Sequence, residues 1–421
     1  MKLDRSNRIP PGTHAVLDVG SSKIVCFIAE VDAAGIISVK GIGHQLSRGV
    51  RASAITDFSE AETSITAAVH AAEQMADMRI EDVVVSLSGH GLRSKSVTVE
   101  MGLQGEEVSD RDILDILSQG RSSIESDDEE ILHCFPTSYV LDDNRGITDP
   151  RHMVGSELAV ELHVVTAPSN LIQNLSRCIS RCHLNITGFV AAPHASALAC
   201  LDDDEMELGV TVIDIGGGNT SFSVFYHGRN IYTDMVPVGG GHVTSDIAKG
   251  LSTTLAHAER LKTLHGSCIT SSSDDQVMIS APVLGEDDES EEENTMPRGT
   301  LVSIVRPRME EIFEMIRSNL EANDMDQFSG RRVVITGGGS QLIGVRELSS
   351  RMFGKHVRIG KPKPITGMAE AASGPSFATA IGMLQLLNNK TFEELLYEES
   401  TAKKTVGQRL KSIFGLVKED F

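Results

Sequence analysis

The sequence predicts an α/β protein built from two similar halves, and three glycine-rich turns carry that prediction. An apolar β run over 13–19 ends in Asp18-Val19-Gly20-Ser21-Ser22-Lys23, and a second strand starts at once over 24–31. The arrangement returns about two hundred residues later: a run over 210–215 leads into Gly216-Gly217-Gly218-Asn219-Thr220, and 221–226 comes back as a strand. A third buried-type strand, Arg332-Val333-Val334-Ile335, enters Thr336-Gly337-Gly338-Gly339.

Between the first hairpin and its echo the spacing predicts a helix over 59–78, strands over 83–87 and 94–99, a helix over 110–119 and a strand over 157–166. The block 84–166 carries no phosphate-type loop and reads as an inserted subdomain. The following segment RCISRCH places Cys178 and Cys182 four apart with His183 adjacent, a spacing that raises a metal site. The segment reads as an amphipathic helix, no second ligand pair exists elsewhere, and the two thiols are expected to be small buried hydrophobes. The second half has its own insertion, 242–329, opening helically at 245–248 and 256–264 and containing the acidic run GEDDESEEEN at 285–294. Such a run is expected to be a solvated loop.

A chain of 421 residues exceeds one ordinary core, and 40% hydrophobic residues supply enough apolar surface for several domains. The net charge of −21 argues against nucleic-acid binding, which needs clustered Lys and Arg. The six cysteines show no paired framework, so a reducing cytoplasm is expected. The first residues, MKLDRSNRIPPG, lack the apolar core of a signal peptide, and nowhere do eighteen apolar residues run together. The chain is therefore expected to be neither secreted nor membrane-spanning.

Glycine turns let backbone N–H groups approach an anion, because no Cβ stands in the way. Two strand-Asp-x-Gly turns two hundred residues apart, followed by an apolar strand into Thr-Gly-Gly-Gly-Ser, resemble the superfamily of actin, sugar kinases and the large heat-shock chaperones. That resemblance implies an actin-like two-lobed fold with ribonuclease-H-like cores, in which two hairpins grip the phosphates of ATP and the third loop covers the adenosine. It assigns Ser21, Ser22 and Lys23, with Gly20, to the β- and γ-phosphates, and the backbone of Gly216, Gly217, Gly218, Asn219 and Thr220 to the same anion. Asp18 and Asp214 are the candidates for Mg²⁺, held through water, since that ion prefers oxygen ligands and keeps part of its hydration. Gly240, Gly337, Gly338, Gly339 and Gln341 are expected at the nucleoside. In HAERLK, Glu259 and Lys262 lie one turn apart on one helix face. An exposed ion pair is the plain reading, and the resemblance adds contact with adenosine.

Within that superfamily the chain resembles the FtsA family of bacterial cell-division proteins, through VAAPHASALA at 190–199, PVGGGHVTSDIA at 237–248, VRIGKP at 357–362 and SFATAIGML at 376–384. The resemblance implies a first core (IA) over 1–83 and 167–200, completed by about 376–390. It implies an FtsA-type inserted subdomain (IC, SHS2-like) over 84–166, a second core (IIA) over 201–241 and 330–375, and a subdomain (IIB) over 242–329 with an acidic disordered loop at 285–297. It further implies peripheral attachment to the cytoplasmic face of the inner membrane at the septum, filament formation, other divisome partners, and a IIB receptor for the C-terminal tail of FtsZ. Arg306 and Arg308 are the cations assigned to that tail. Hydrolysing relatives often carry an acidic residue just before the Pro of the segment matching VAAPHA; Ala191 and Ala192 stand here, so ATP binding with at most slow turnover is expected. A sugar or acetate kinase would need an acidic base, and none is identifiable. A chaperone would need a large peptide-binding domain, for which the thirty-odd residues after Leu387 are too few, whereas a pilus-assembly ATPase shares the architecture.

After a polar linker at 391–403, Val406, Leu410, Ile413, Phe414, Val417 and Phe421 recur at helical spacing within 404–421, with Arg409, Lys411 and Lys418 on the other side. Apolar and basic faces together fit a C-terminal amphipathic helix on anionic membrane lipid.

Overall fold

The computed structural model describes residues 11–386 apart from 52–53, 104, 125, 127 and 283–292. The linker, the C-terminal helix, the end of the 376–390 segment and most of the acidic run lie outside the described residues.

The first lobe is built on β1 (Gly12–Val19), β2 (Lys23–Val31) and β3 (Ile37–Leu46). The two-residue strands β4 (Val50–Arg51) and β5 (Ala54–Ile55), helix α1 (Phe58–Ala76) and β6 (Asp82–Leu87) follow. Asp57 caps α1 by accepting a hydrogen bond from Glu60 N, and the helix buries Ala61, Ile65, Ala68, Val69 and Ala72 against the sheet. Gly41 and Gly43 of β3 admit this helix closely, because a Cβ on Gly43 would overlap the Ala68 carbonyl.

The insert comprises β7 (Arg93–Gly102), α2 (Asp110–Ser122), β8 (Glu129–Leu141), β9 (Asn144–Ile147) and β10 (Glu157–Pro168), with a sheet in the order β7-β10-β8-β9. Its start differs from the boundary expected at 84: β6 pairs with β1 through Val84 and Val85, so 84–87 belong to the first lobe. The chain returns to that lobe through α3 (Ser169–Arg181), β11 (Asn185–Ala191) and α4 (Ala192–Cys200). Cys178 is buried on α3, Cys182 Sγ donates to the Cys178 carbonyl at 3.4 Å, and burial pushes the Cys178 thiol up to about 11. Among the described residues no group of three metal-ligating side chains forms, there or elsewhere.

The second lobe contains α5 (Asp203–Leu208), β12 (Val210–Ile215), β13 (Thr220–Tyr226) and β14 (Arg229–Val236). Helices α6 (Gly240–Gly250) and α7 (Leu255–His265), the hairpin β15 (Met278–Pro282) and β16 (Glu293–Pro297), and α8 (Arg298–Ala322) form its insertion. The lobe closes with β17 (Arg332–Thr336), α9 (Val345–Phe353) and β18 (His356–Ile359). The loop expected over 285–297 is shorter at its end, since Glu293–Pro297 pairs antiparallel with Met278–Pro282. Finally α10 (Ala378–Leu386) packs between the lobes in one apolar cluster with Val16, Val25, Ala197, Val212 and Val334.

The two sheets have one topology. The first runs β11-β6-β1-β2-β3 and the second β18-β17-β12-β13-β14, each with an antiparallel meander on one side and parallel strands on the other. Thus Asp18, paired with Val25, and Asp214, paired with Ser221, take the same register position in the two lobes.

Behind the lobes the insert buries a cluster of rings. His133 stacks on Phe135 at 5.1 Å between centroids, and His194 of α4 lies 4.7 Å from Phe135 and 5.2 Å from His133. Burial lowers His163 to about 3 and His194 to about 4, with His194 a further lowering influence on His163. Both folded values lie below the ordinary histidine value, so the unfolded chain binds the extra protons. Stability is fully present above pH 6.5 and is lost as pH falls towards 4. Going from pH 7 to 5.5 is expected to remove about 2–3 kcal/mol from these two residues. Urea unfolding at the two pH values checks this, and His194→Gln should flatten the dependence.

Candidate functional site

A cleft of about 480 Å³ opens between the lobes, and the three glycine turns meet in it. The first hairpin closes with Gly20 N donating to the Lys23 carbonyl at 3.1 Å. The second faces it so closely that a Cβ on Gly217 would overlap Ser22 Oγ and stand 3.0 Å from Ser22 Cβ. The third loop approaches from the side: Gly337 has φ of 81°, and a Cβ there would overlap the Asp214 carboxylate. Only glycine meets both demands at Gly337. Helix α6 is tied to the second hairpin by Gly240 N to the Gly216 carbonyl at 2.8 Å and Gly241 N to the Gly217 carbonyl at 2.7 Å.

Two carboxylates and one ammonium form the floor. Burial raises Asp18, against the hydrogen bond that Ser86 Oγ donates to its Oδ1 at 2.6 Å and against the nearby Lys23 charge. Burial pushes Asp214 up to about 6; Ser196 and Thr379 oppose this by hydrogen bonding, while the Asp18 charge adds to it. Burial lowers Lys23 to about 8 against the pull of both carboxylates, and its Nζ rests 3.3 Å from the centroid of the Phe377 ring. A divalent cation would hold both carboxylates ionised, and the donor set of paired carboxylates and hydroxyls suits a hard, oxygen-seeking ion. Asn219 Nδ2 is buried at the cleft without a hydrogen-bond partner among the described residues, a free donor for an anion.

Of the residues singled out in the sequence, Asp18, Gly20, Ser21, Ser22, Lys23, Asp214, Gly216, Gly217, Asn219, Gly240, Glu259, Lys262, Gly337, Gly338, Gly339 and Gln341 line the cleft. Gly218 and Thr220 do not; Thr220 is buried in the hairpin and donates to the Val238 carbonyl at 2.7 Å. Lys262 Nζ reaches Glu259 Oε2 at 2.6 Å, Thr244 Oγ1 at 2.8 Å and the Gly240 carbonyl at 3.1 Å, so the lysine is anchored to α6 and largely covered while Glu259 stays exposed. Arg306 and Arg308 lie away from the cleft on α8, each held within the chain: Arg306 to Glu310 at 2.7 Å, Arg308 to Asp246 at 2.6 Å and to Glu311. Ser86, Ser196 and Thr379 went unforeseen; each supports a carboxylate from a strand or helix remote in sequence. Ala192 also lines the cleft.

Residues 211–382 match the family model "Cell division protein FtsA", and 89–166 match "SHS2 domain inserted in FTSA". The cell division protein FtsA of Rhizobium meliloti is 43% identical over 381 residues, covering 88% of this chain and 86% of the relative. The chain belongs to the FtsA family of cell division proteins. Its FtsA relative in Escherichia coli K12 is 28% identical over 412 residues, covering 96% of this chain and 97% of that one. The FtsA insert begins after β6, in agreement with the matched SHS2 residues. Among solved structures the fold is similar to a PilM-PilN type IV pilus biogenesis complex, with TM-score 0.63 at 16% identity over 90% of this chain and 100% of that chain. It is also similar to MreB5 of Spiroplasma citri bound to AMPPNP, with TM-score 0.51 at 12% identity over 95% and 99% of the two chains. These likenesses place the chain in the actin-like fold. Among the described residues no helix is long and apolar enough to cross a membrane.

Proposed function

We propose that the chain binds Mg²⁺-ATP in the inter-lobe cleft and, as an actin-like polymer on the inner membrane, anchors FtsZ and other divisome proteins at the septum. One observation carries the nucleotide half of this reading: Asp18 and Asp214 occupy matching register positions in a cleft where two glycine turns face each other, with Lys23 beside them. The hairpins would hold the phosphates, Glu259 and Lys262 would touch the adenosine, and Gly337 to Gln341 would line the nucleoside. Bound Mg²⁺ would neutralise the phosphates between the two carboxylates. Ala192 offers no group to orient water, which supports a slow switch over a rapid ATPase.

The reading is tested by flotation of FtsZ with liposomes containing anionic lipid. FtsZ should float only when the full chain and ATP are both present; FtsZ left at the bottom of the gradient would sink the proposal. Filaments are expected on lipid monolayers with ATP by electron microscopy, with the insert of one subunit against its neighbour.

The FtsZ tail is assigned to the α6–α8 region. Among the described residues Arg306 has a single carboxylate partner and remains partly exposed, whereas Arg308 is held by two. Arg306→Glu is therefore expected to weaken capture of an FtsZ tail peptide several-fold with little change in melting temperature, because exposed ion pairs contribute about 0–1 kcal/mol. Arg308→Glu should lower the melting temperature as well. Undiminished peptide capture by the double variant would remove the assignment.

A further inference from the structure

Among the described residues β11 is one edge strand of the first lobe's sheet and β14 one edge strand of the second's. The insert reaches both. From β8, His133 Nε2 accepts the Ala191 N–H at 2.9 Å, at the last residue of β11 and one residue before the cleft-lining Ala192. From β7, Ser94 closes a two-way contact with the β14 edge: its Oγ donates to the Thr233 carbonyl at 2.7 Å and accepts from Thr233 N at 2.9 Å. Arg229, at the start of β14, donates to the carbonyls of Pro136 and Thr148 in the insert.

The two edges are also joined directly. His194 of α4 meets the His133 ring, and its Nδ1 lies 3.3 Å from Asn230 Nδ2 of β14. Asn230 donates to Thr233 Oγ1 at 3.0 Å, and Thr233 returns to Ser94. The circuit therefore runs from insert to first lobe, to second lobe, and back to insert. His133 is kept well below its ordinary value by burial, then by His194 and His163, so the imidazole stays neutral and able to accept.

We propose that the insert is a strut between the lobes, with His133 and Ser94 as positioning residues that transmit nucleotide binding in the cleft to the insert surface. A ligand gripped by both hairpins restrains the lobes relative to each other. The strut spans the same two lobes at β11 and β14, so it is restrained with them. Linkage makes the effect reciprocal: a protein that holds the insert changes nucleotide affinity by the same factor. The inference rests on the nucleotide reading above.

Hydrogen exchange of the full chain, with and without saturating Mg²⁺-ATP, tests it in peptides spanning 93–102 and 129–141, neither of which lines the cleft. The wild type should exchange about 5-fold or more slowly there when ATP is bound. Ser94→Ala and His133→Phe should bind ATP but lose that slowing, and His133→Gln, which keeps an acceptor for the Ala191 N–H, should restore it. Ser94→Ala removes only a hydroxyl and carries the test should His133→Phe fold poorly. ATP binding with unchanged exchange in the insert, or slowing that survives Ser94→Ala, would overturn the strut while leaving the nucleotide reading intact. Failure of the wild type to bind ATP would overturn both.

Discussion

Gly217→Val is expected to abolish ATP binding while leaving the chain folded. The Cβ alone would overlap Ser22 Oγ and stand 3.0 Å from Ser22 Cβ, so the Ser22 hydroxyl must turn away and the two hairpins must give by a few tenths of an ångström where the phosphates are to be held. The valine branches would also stand in front of the backbone N–H groups of the second turn. Hydrogen bonds to a charged partner contribute about 1.5–3 kcal/mol each, and loss of two corresponds to a fall in affinity of roughly 100-fold or more. The fold should tolerate the change, because Gly217 lies at the cleft surface and its lobe is held by a separate core containing Ile213, Phe222, Val224 and Ile335. Titration with a fluorescent ATP analogue measures the first effect, and thermal melting without nucleotide the second. Retained wild-type affinity would show that the phosphates lie elsewhere.

The hairpins that make this site were legible because their signal is local. An apolar run, an aspartate one residue from its end, a glycine turn and a returning run are all contiguous, and the structure pairs Asp18 with Val25 and Asp214 with Ser221. Helix α1 was legible from its apolar spacing. Strand β8 was not: EEILHCFPTSYVL contains Pro136 and is mostly only half-buried, so its alternation is weak. β3 was also hidden, since Gly41 and Gly43 weaken a strand pattern in isolation and serve here as the floor under α1. The supports of the site were out of reach for a different reason. Ser86 lies 68 positions from Asp18 and Thr379 lies 165 from Asp214, and a lone hydroxyl carries no sequence signal that tells which carboxylate it will meet. The arginines of α8 show the same limit: their basic character was readable, their partners Asp246, Glu310 and Glu311 were not.

Removing residues 404–421 is expected to abolish membrane attachment, and Phe414→Glu to reduce it severely. This segment lies outside the described residues. Helical spacing would put Val406, Leu410, Ile413, Phe414, Val417 and Phe421 on one face, with Arg409, Lys411 and Lys418 flanking it. A chain of net charge −21 is repelled by anionic lipid. A polar tether of about fifteen residues reaches roughly 20 Å, beyond the Debye length of roughly 8 Å, so the helix can bind while the body stays screened. Full burial of six large apolar side chains would gain roughly 9–18 kcal/mol; partial insertion and the ordering of the helix, at roughly 1 kcal/mol or more per residue, offset much of it. One tail is therefore expected to hold weakly and reversibly, and a polymer presenting many tails to hold firmly through effective concentration. A charged side chain in the middle of the apolar face removes the burial of Phe414 and adds repulsion from the lipid headgroups. Liposome flotation of the full chain, a chain ending at Lys403 and Phe414→Glu checks this, and equal flotation of all three would remove the membrane tether.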